Sequence, residues 1–153
     1  MFLPFLAAIL FKANFDQLSP PSDAKKQVLH GVGYALRLDG QPKDLGLLWY
    51  DAQGTDRHHA VEVCLQYRGI ELENSEVADV KTDGDHWYCE FFIVKDKLIE
   101  DHSSYVWETF GFRQDPGVHL IMIAKNDSFS AEDFAEMSKL YADKLYESLK
   151  QDG

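Results

Sequence analysis

The most regular pattern of hydrophobic and polar positions lies near the C-terminus. Apolar residues there recur at three- and four-residue spacing, which puts them on one face of a helix. They are Phe134, Met137, Leu140, Tyr141, Leu145 and Leu149. The preceding Ser130 to Asp133 resembles a capping box, in which a hydroxyl accepts a hydrogen bond from a first-turn amide. The pattern predicts an amphipathic helix over residues 130–149.

Upstream segments carry the pattern of β-strands. Val118 to Ala124 is apolar on both faces, which is typical of a central strand that is covered on both sides. The other segments alternate, or are rich in aromatic and β-branched residues, and turn residues separate them. The predicted strands are 33–38, 45–50, 58–67, 86–94, 104–112 and 118–124. Residues 23–29 are expected to form one or two helical turns.

These elements predict an α+β fold. We expect a single antiparallel sheet of about five or six strands, with the C-terminal amphipathic helix packed on one face. The chain has 153 residues, the size of one ordinary domain. We assign this single domain to residues 23–153.

The first 22 residues form a separate segment in this prediction. Residues 1–15 are strongly apolar, but the run is shorter than the roughly 20 residues that span a bilayer. Two interpretations remain open: an amphipathic segment that docks on the domain, or the end of a longer membrane anchor. Pro20 and Pro21 then interrupt regular structure and indicate a linker.

The charge balance excludes some classes of partner. The formal net charge is -11, and the Lys and Arg residues are scattered. A nucleic-acid partner is therefore not expected, because phosphate binding needs a basic surface. Peripheral binding to anionic lipid is disfavoured for the same reason. The hydrophobic content of 45% is that of a globular protein.

The candidate chemistry lies in residues 58–69. Two histidines, a glutamate and a cysteine occur there within seven residues. The candidate catalytic residues are Cys64, His59 and Glu62, because a base can activate a thiol and a carboxylate can orient the base. The candidate binding residues are His58, His59, Glu62, Cys64 and Gln66. A polar outer face of a strand, without chemistry, is the alternative.

Strand geometry limits what this stretch can do alone. In a strand, Val61, Val63, Leu65 and Tyr67 would face the core, and His58, Glu62, Cys64 and Gln66 would face the other way. Positions 58 and 64 would lie about 20 Å apart. A partner for Cys64 would then come from elsewhere, such as His86 or His102. Metal ligands must converge within a few ångströms, so we predict no metal site and no cofactor.

Cys89 and the tryptophans are predicted to be structural. Alternation puts Cys89 with Trp87, Phe91 and Ile93, so we expect a buried thiol. The two sulfurs would then face opposite sides of the sheet, which disfavours a disulfide. A turn near Cys64 would reopen that possibility, and a disulfide would imply an oxidising compartment. The three tryptophans, Trp49, Trp87 and Trp107, are expected to pack against the sheet.

The run from His59 to Leu65 resembles a motif of exosortase-associated accessory domains. In that family a histidine and two spacer residues precede Glu-Val-Cys-Leu, and a glycine follows, here Gly69. The order of strands and the closing helix is also similar, over roughly residues 30–150. The family usually has proline directly before the glutamate, where this chain has Val61.

The resemblance implies an extracytoplasmic, membrane-associated domain. Its partner would be a membrane-embedded exosortase, a cysteine transpeptidase-like enzyme that processes sorting signals at the C-termini of exported proteins. The partner's catalytic cysteine lies in its own membrane helices, so Cys64 does not inherit that role. Residues 1–15 would suit a membrane tether.

Three functions are therefore compatible with the sequence. The first is a non-catalytic accessory domain that assists exosortase-type protein sorting or exopolysaccharide export. The second is a small thiol-dependent hydrolase or transferase that uses Cys64 with a histidine. The third is an acidic adaptor or chaperone-like protein in the cytoplasm.

Overall fold

The computed structural model describes residues 25–28, 33–51, 57–110 and 115–152. This part of the chain forms one sheet of eight strands and three helices. The strands are β1 Lys25–Val28, β2 Gly33–Arg37, β3 Leu45–Tyr50, β4 Glu73–Asn74, β5 Lys81–Thr82, β6 His86–Val94, β7 Lys97–Ile99 and β8 Val118–Lys125. The helices are α1 Val61–Gln66, α2 His102–Glu108 and α3 Ala131–Asp152.

All neighbouring strands in the sheet run antiparallel. Their order is β1-β2-β3-β8-β6-β5-β4, and β7 pairs with β6. The predicted α+β class is confirmed. Four of the eight strands, β1, β4, β5 and β7, were not predicted. β4 and β5 contain only two residues each, too few to leave a sequence pattern.

The strand β8 lies between β3 and β6, as its two apolar faces predicted. Its residues 118–122 are all buried. Side chains alternate between the faces of a strand, so β8 contributes to two different hydrophobic layers. Val118, Leu120 and Met122 belong to the main core, whereas His119 and Ile121 face the other side.

The helix α3 covers the main-core face, and its prediction is confirmed. Phe134 and Leu145 are fully buried against sheet residues such as Trp49. The Ser130 hydroxyl oxygen accepts a hydrogen bond from the Asp133 amide at 3.1 Å, as the capping pattern predicted. Leu140, in contrast, leaves 46% of its surface exposed and does not belong to the buried face.

The helices α1 and α2 lie over the opposite face of the sheet. Val61 of α1 packs with Tyr88 and Ile121. Tyr105 of α2 packs with Phe92. The two helices are short, and they leave part of this face uncovered.

The predicted strand over residues 58–67 is wrong, because residues 61–66 form α1. The amides of Val63 and Cys64 both donate to the Ala60 carbonyl, which begins the helix. Val61 and Leu65, four residues apart, then share the face that meets the sheet. The alternation of apolar residues was equally compatible with this short helix.

The predicted strand over residues 104–112 is also wrong where the structure describes it. Residues 102–108 form α2, whose start is capped by the Asp101 carboxylate. That carboxylate accepts from the Ser104 amide at 2.7 Å and from the Ser104 hydroxyl at 2.8 Å. Trp107 lies on the outer side of α2 with 78% of its surface exposed, so it does not pack against the sheet. Residues 111 and 112 lie outside the described residues.

Two predictions concern the N-terminal part of the chain. Residues 25–28 form β1 and not a helical turn, because they pair with β2 from Lys25↔Arg37 to Val28↔Tyr34. The apolar segment and the proline linker of residues 1–22 lie outside the described residues. Within the part that is described, no helix has both the length and the apolar composition needed to cross a bilayer.

Candidate functional site

A cleft of about 540 Å³ lies on the sheet face opposite α3. One side is formed by strands β3, β6 and β8, and the other by residues 57–68 with α1. Its lining residues are Leu48, Tyr50, Asp51, Arg57, His58, His59, Val61, Cys64, Leu65, Arg68, Tyr88, His119, Ile121 and Ile123. The volume falls within the range of roughly 300–1,000 Å³ that is typical of small-ligand sites.

The strand register sets the floor of the cleft. Tyr50 of β3 pairs with His119 of β8, and Leu48 pairs with Ile121. On the other side of β8, Ile123 pairs with Tyr88 of β6. The floor is therefore a row of apolar and aromatic side chains with His119 at one end.

A buried carboxylate fixes α1 on this floor. Glu90 of β6 accepts a hydrogen bond from the Val61 amide at 2.9 Å, at the start of α1. The same oxygen lies 2.8 Å from Nε2 of His119. The side chains of Glu90 and His119 are only 12% and 3% exposed. The Glu90 carboxylate therefore provides the hydrogen-bond partner that the Val61 amide and the His119 ring need away from solvent.

His58 is held by hydrogen bonds from several directions. Its Nε2 lies 2.9 Å from the Gly117 carbonyl oxygen, so this nitrogen carries the proton and donates. Its backbone amide donates to the Tyr105 hydroxyl at 2.9 Å. Nε2 of His102 donates to the His58 carbonyl oxygen at 3.0 Å. Burial lowers the pKa of His58 to about 4, so the ring is neutral at pH 7.

Aromatic rings support these histidines. Phe92 stacks on Tyr105 on one side, with ring centroids 4.1 Å apart, and on His119 on the other, at 4.5 Å. The His58 ring lies 5.6 Å from the His119 ring. These contacts restrict the orientation of the His58 and His119 imidazoles, so this end of the cleft wall is rigid.

Cys64 lines the cleft as an exposed, free thiol. Although the residue as a whole is exposed, partial burial of the thiol raises its pKa, and the nearby Glu90 charge raises the pKa further. In the described ranges, no histidine nitrogen lies within hydrogen-bonding distance of the Cys64 sulfur. His102 instead bonds to the His58 carbonyl, and His86 to the Asp83 carboxylate. The surroundings favour the protonated thiol, which is a poor nucleophile.

The structure separates the predicted site residues into two groups. His58, His59 and Cys64 line the cleft. Glu62 does not; its carboxylate lies 3.7 Å from the Lys81 ammonium in a partly exposed ion pair. Gln66 is exposed on α1 and also lies outside the cleft lining. The prediction that His58, Glu62, Cys64 and Gln66 share one face is wrong, because residues 61–66 form a helix. Glu62 and Gln66, four residues apart, share one face of α1, and Cys64 lies on another.

Sequence reasoning missed several residues that build the site. Glu90 and His119 were not predicted as site residues, because they lie in strands whose other residues are mostly apolar. A signal was present, because an ionisable residue inside a buried strand requires a partner. Arg57 and Arg68 carried no such signal, since their place in the cleft depends on residues distant in the sequence.

The two arginines give the cleft its charge. The Arg57 Nε donates to the Thr109 hydroxyl at 2.9 Å, and its Nη2 donates to the Thr109 carbonyl oxygen at 2.8 Å. The Arg57 guanidinium also lies 5.9 Å from the centre of the Phe110 ring. Arg68 follows α1 and forms no side-chain hydrogen bond or ion pair within the described part of the chain.

Cys89 is buried, as predicted, and belongs to the main core. Burial raises the pKa of its thiol to about 12. Both cysteines are free. Among the residues that the structure describes, no group of three His, Cys, Asp or Glu side chains is arranged to hold a metal ion.

Comparisons with models of protein families, with curated proteins and with solved structures find no match to this chain.

Proposed function

We propose that this chain is a non-catalytic accessory domain at the outer face of a membrane, which assists exosortase-type protein sorting or exopolysaccharide export. One observation carries the proposal. The motif that resembles the exosortase-associated domains, from His59 to Leu65, contributes to one wall of the cleft. The segment that carries the family resemblance therefore lines a cleft in which a ligand or partner could bind.

The geometry favours binding over catalysis. The Cys64 thiol has a raised pKa and no hydrogen-bonded histidine in the described chain. The Glu90 carboxylate is occupied by the Val61 amide and by His119. His58 donates its Nε2 proton to the Gly117 carbonyl. These groups hold the cleft wall in place, and their hydrogen bonds serve the fold.

The proposal is tested by coexpressing the chain with a membrane-embedded exosortase from the same genome. A reporter that carries a C-terminal sorting signal is expressed with them, and processing of that signal is measured on gels. We expect processing to be higher with the chain than without it, and we expect the chain to copurify with the exosortase from detergent extracts. If the chain neither increased processing nor copurified with the exosortase, the proposed role would be contradicted.

Two substitutions at one position separate binding from chemistry. Cys64→Ser removes the thiol with little change of shape, and Cys64→Trp removes it and also fills part of the cleft. We expect the serine variant to support processing and the tryptophan variant to lose it. Loss in the serine variant would favour the thiol-dependent enzyme instead. Urea unfolding of both variants checks that the domain is folded.

A further inference from the structure

The charged groups of the cleft have the opposite balance to the whole chain. The chain carries a formal net charge of -11. The cleft lining contains Arg57 and Arg68 but one acidic residue, Asp51. The Asp51 carboxylate accepts a hydrogen bond from Nε1 of Trp49 at 2.6 Å. His58 is neutral at pH 7. The Glu90 carboxylate behind the lining already accepts the Val61 amide and lies against His119, so the two guanidinium groups are the positive charges of the lining that can meet an anion.

Arg57 is positioned before any ligand arrives. Two of its nitrogens, Nε and Nη2, are fixed by Thr109, whose side chain is buried. Its remaining nitrogen, Nη1, has no hydrogen-bond partner in the described chain. An arginine that is already held by the protein loses less conformational entropy when it binds a carboxylate.

The rest of the lining requires an apolar ligand body. Leu48, Leu65 and Ile123 contribute side chains that are only partly buried, and Ile121 and Val61 close the wall behind them. A small inorganic anion would leave these side chains in contact with water. A ligand that covers them removes this apolar surface from water, which favours binding.

Polar groups along the walls indicate what kind of apolar body fits. Tyr50 and His59 line the cleft, and within the described residues neither the Tyr50 hydroxyl nor the His59 ring has a hydrogen-bond partner. A hydrocarbon chain would remove these groups from water without replacing their hydrogen bonds, which is unfavourable. The amide groups of a peptide could form those bonds.

We propose that the cleft binds the C-terminal end of an apolar peptide, with the terminal carboxylate at the arginines. Arginine and carboxylate form strong paired hydrogen bonds, and capture of a chain end by its carboxylate is an established recognition mode. The apolar side chains of the peptide lie on the sheet floor. This inference rests on the proposed role of the cleft as a binding site, and it is independent of the exosortase.

Fluorescence anisotropy of a labelled peptide tests the inference. The probe is fluorescein-labelled Gly-Ser-Gly-Leu-Leu-Leu with a free carboxyl end, compared with the same peptide in amidated form. We expect the free acid to bind at least about tenfold more tightly than the amide, because the amide lacks the charge that meets the arginines. We expect high salt to weaken binding of the acid more than binding of the amide.

Matched variants locate the carboxylate. Arg68→Gln is expected to reduce the affinity for the acid about tenfold and to leave the affinity for the amide unchanged. Lys144→Gln removes the same charge from α3, on the other side of the sheet, and is expected to change neither affinity. Equal binding of acid and amide, or equal effects of the two substitutions, would overturn the inference.

A competition experiment distinguishes the peptide from another apolar carboxylate. Decanoate carries the same charge and an apolar body but no amides, and we expect it to displace the peptide poorly. Binding of decanoate without binding of the peptide would overturn the peptide assignment. Failure of the processing assay with intact peptide binding would contradict the exosortase role alone, whereas successful processing without peptide binding would contradict only the peptide inference.

Discussion

The Oε1 atom of Glu90 lies 2.8 Å from Nε2 of His119, and both side chains are almost completely buried. The same oxygen accepts the Val61 amide at the start of α1. One carboxylate therefore joins two strands of the sheet to the helix that forms the cleft wall. The position of α1, and with it the shape of the cleft, depends on this contact.

Replacing Glu90 with alanine should destabilise the domain. The Val61 amide and the His119 ring would lose their acceptor in a buried setting, which costs about 2–4 kcal/mol. Glu90→Gln keeps an acceptor oxygen of similar shape, so its loss of stability should be smaller. The free energy of unfolding in urea measures both effects.

The control for this prediction is Glu147→Ala, which removes an exposed carboxylate from α3. It should change the free energy of unfolding by less than about 0.5 kcal/mol. If Glu90→Ala were as mild as this control, the carboxylate would not hold α1 in place.

The sequence was sufficient to predict the elements that have long and regular patterns. The spacing of apolar residues in α3 extends over several turns, as a helix requires. β8 is a short apolar run that follows Gly117 and is rich in β-branched residues, which favours a strand. α1 has only six residues. Val61, Val63 and Leu65 match a strand, while Val61 and Leu65 alone match a helix. The deciding contact comes from Glu90, which is 29 residues away along the chain.

The same reason explains why the cleft was only partly predicted. His58, His59 and Cys64 were found because chemically active residues cluster in the sequence. Arg57 was not found, since its orientation is fixed by Thr109, 52 residues later. Residues 25–28 carry a polar sequence, and their strand conformation arises from pairing with β2. Contacts between distant residues decide each of these cases.

Alkylation of Cys64 should be slow at neutral pH. Its pKa is raised, so the thiolate fraction is smaller than in an ordinary thiol, and the thiolate is the reacting species. We expect the rate of reaction with iodoacetamide to rise with a midpoint above the value of about 8.5 that is typical of free cysteine. A midpoint near neutrality would show an activated thiol and would contradict this account.

Cys64→Ala provides the control for this experiment. The remaining cysteine, Cys89, is buried in the main core, and its pKa is raised to about 12. We therefore expect almost no alkylation of the folded variant, and full alkylation after unfolding in urea. The difference between native protein and variant then reports Cys64 alone.

Burial of His58 should make the domain less stable in mild acid. Its folded-state pKa of about 4 lies below the ordinary value of 6.5, so the unfolded state binds the proton more tightly. The contribution of His58 to stability is complete above pH 6.5 and is lost as the pH falls from 6.5 to 4. Between pH 7.5 and pH 5 this amounts to about 2 kcal/mol.

Urea unfolding at both pH values measures this loss, and His58→Gln is the matched variant. Glutamine does not titrate, so the variant should lose about 2 kcal/mol less than the native protein over the same interval. The Asp83 carboxyl, whose pKa is lowered below 3.8, does not contribute in that interval. Equal pH dependence in the two proteins would show that His58 is not the group responsible.

Gly117→Ala should destabilise the domain at the point where His58 is anchored. Gly117 has φ +69°, and a Cβ atom there would overlap the carbonyl oxygen of Ile93. The left-handed backbone costs an alanine about 1–2 kcal/mol, and the overlap with a packed backbone adds about 1–3 kcal/mol. The strand end that supplies the acceptor for His58 Nε2 would have to move. Urea unfolding measures the total loss.

Gly84→Ala separates the two parts of this effect. Gly84 also has a positive φ, +103°, but a Cβ atom there would meet no atom within 4 Å. This variant should therefore lose only the backbone contribution of about 1–2 kcal/mol. The hydrogen bond to the Gly117 carbonyl raises the pKa of His58, so losing it would lower that pKa further. The loss of stability in acid should therefore extend to lower pH in Gly117→Ala and stay as in the native protein in Gly84→Ala. Equal losses and equal pH profiles would mean that the contact between Gly117 and Ile93 does not position His58.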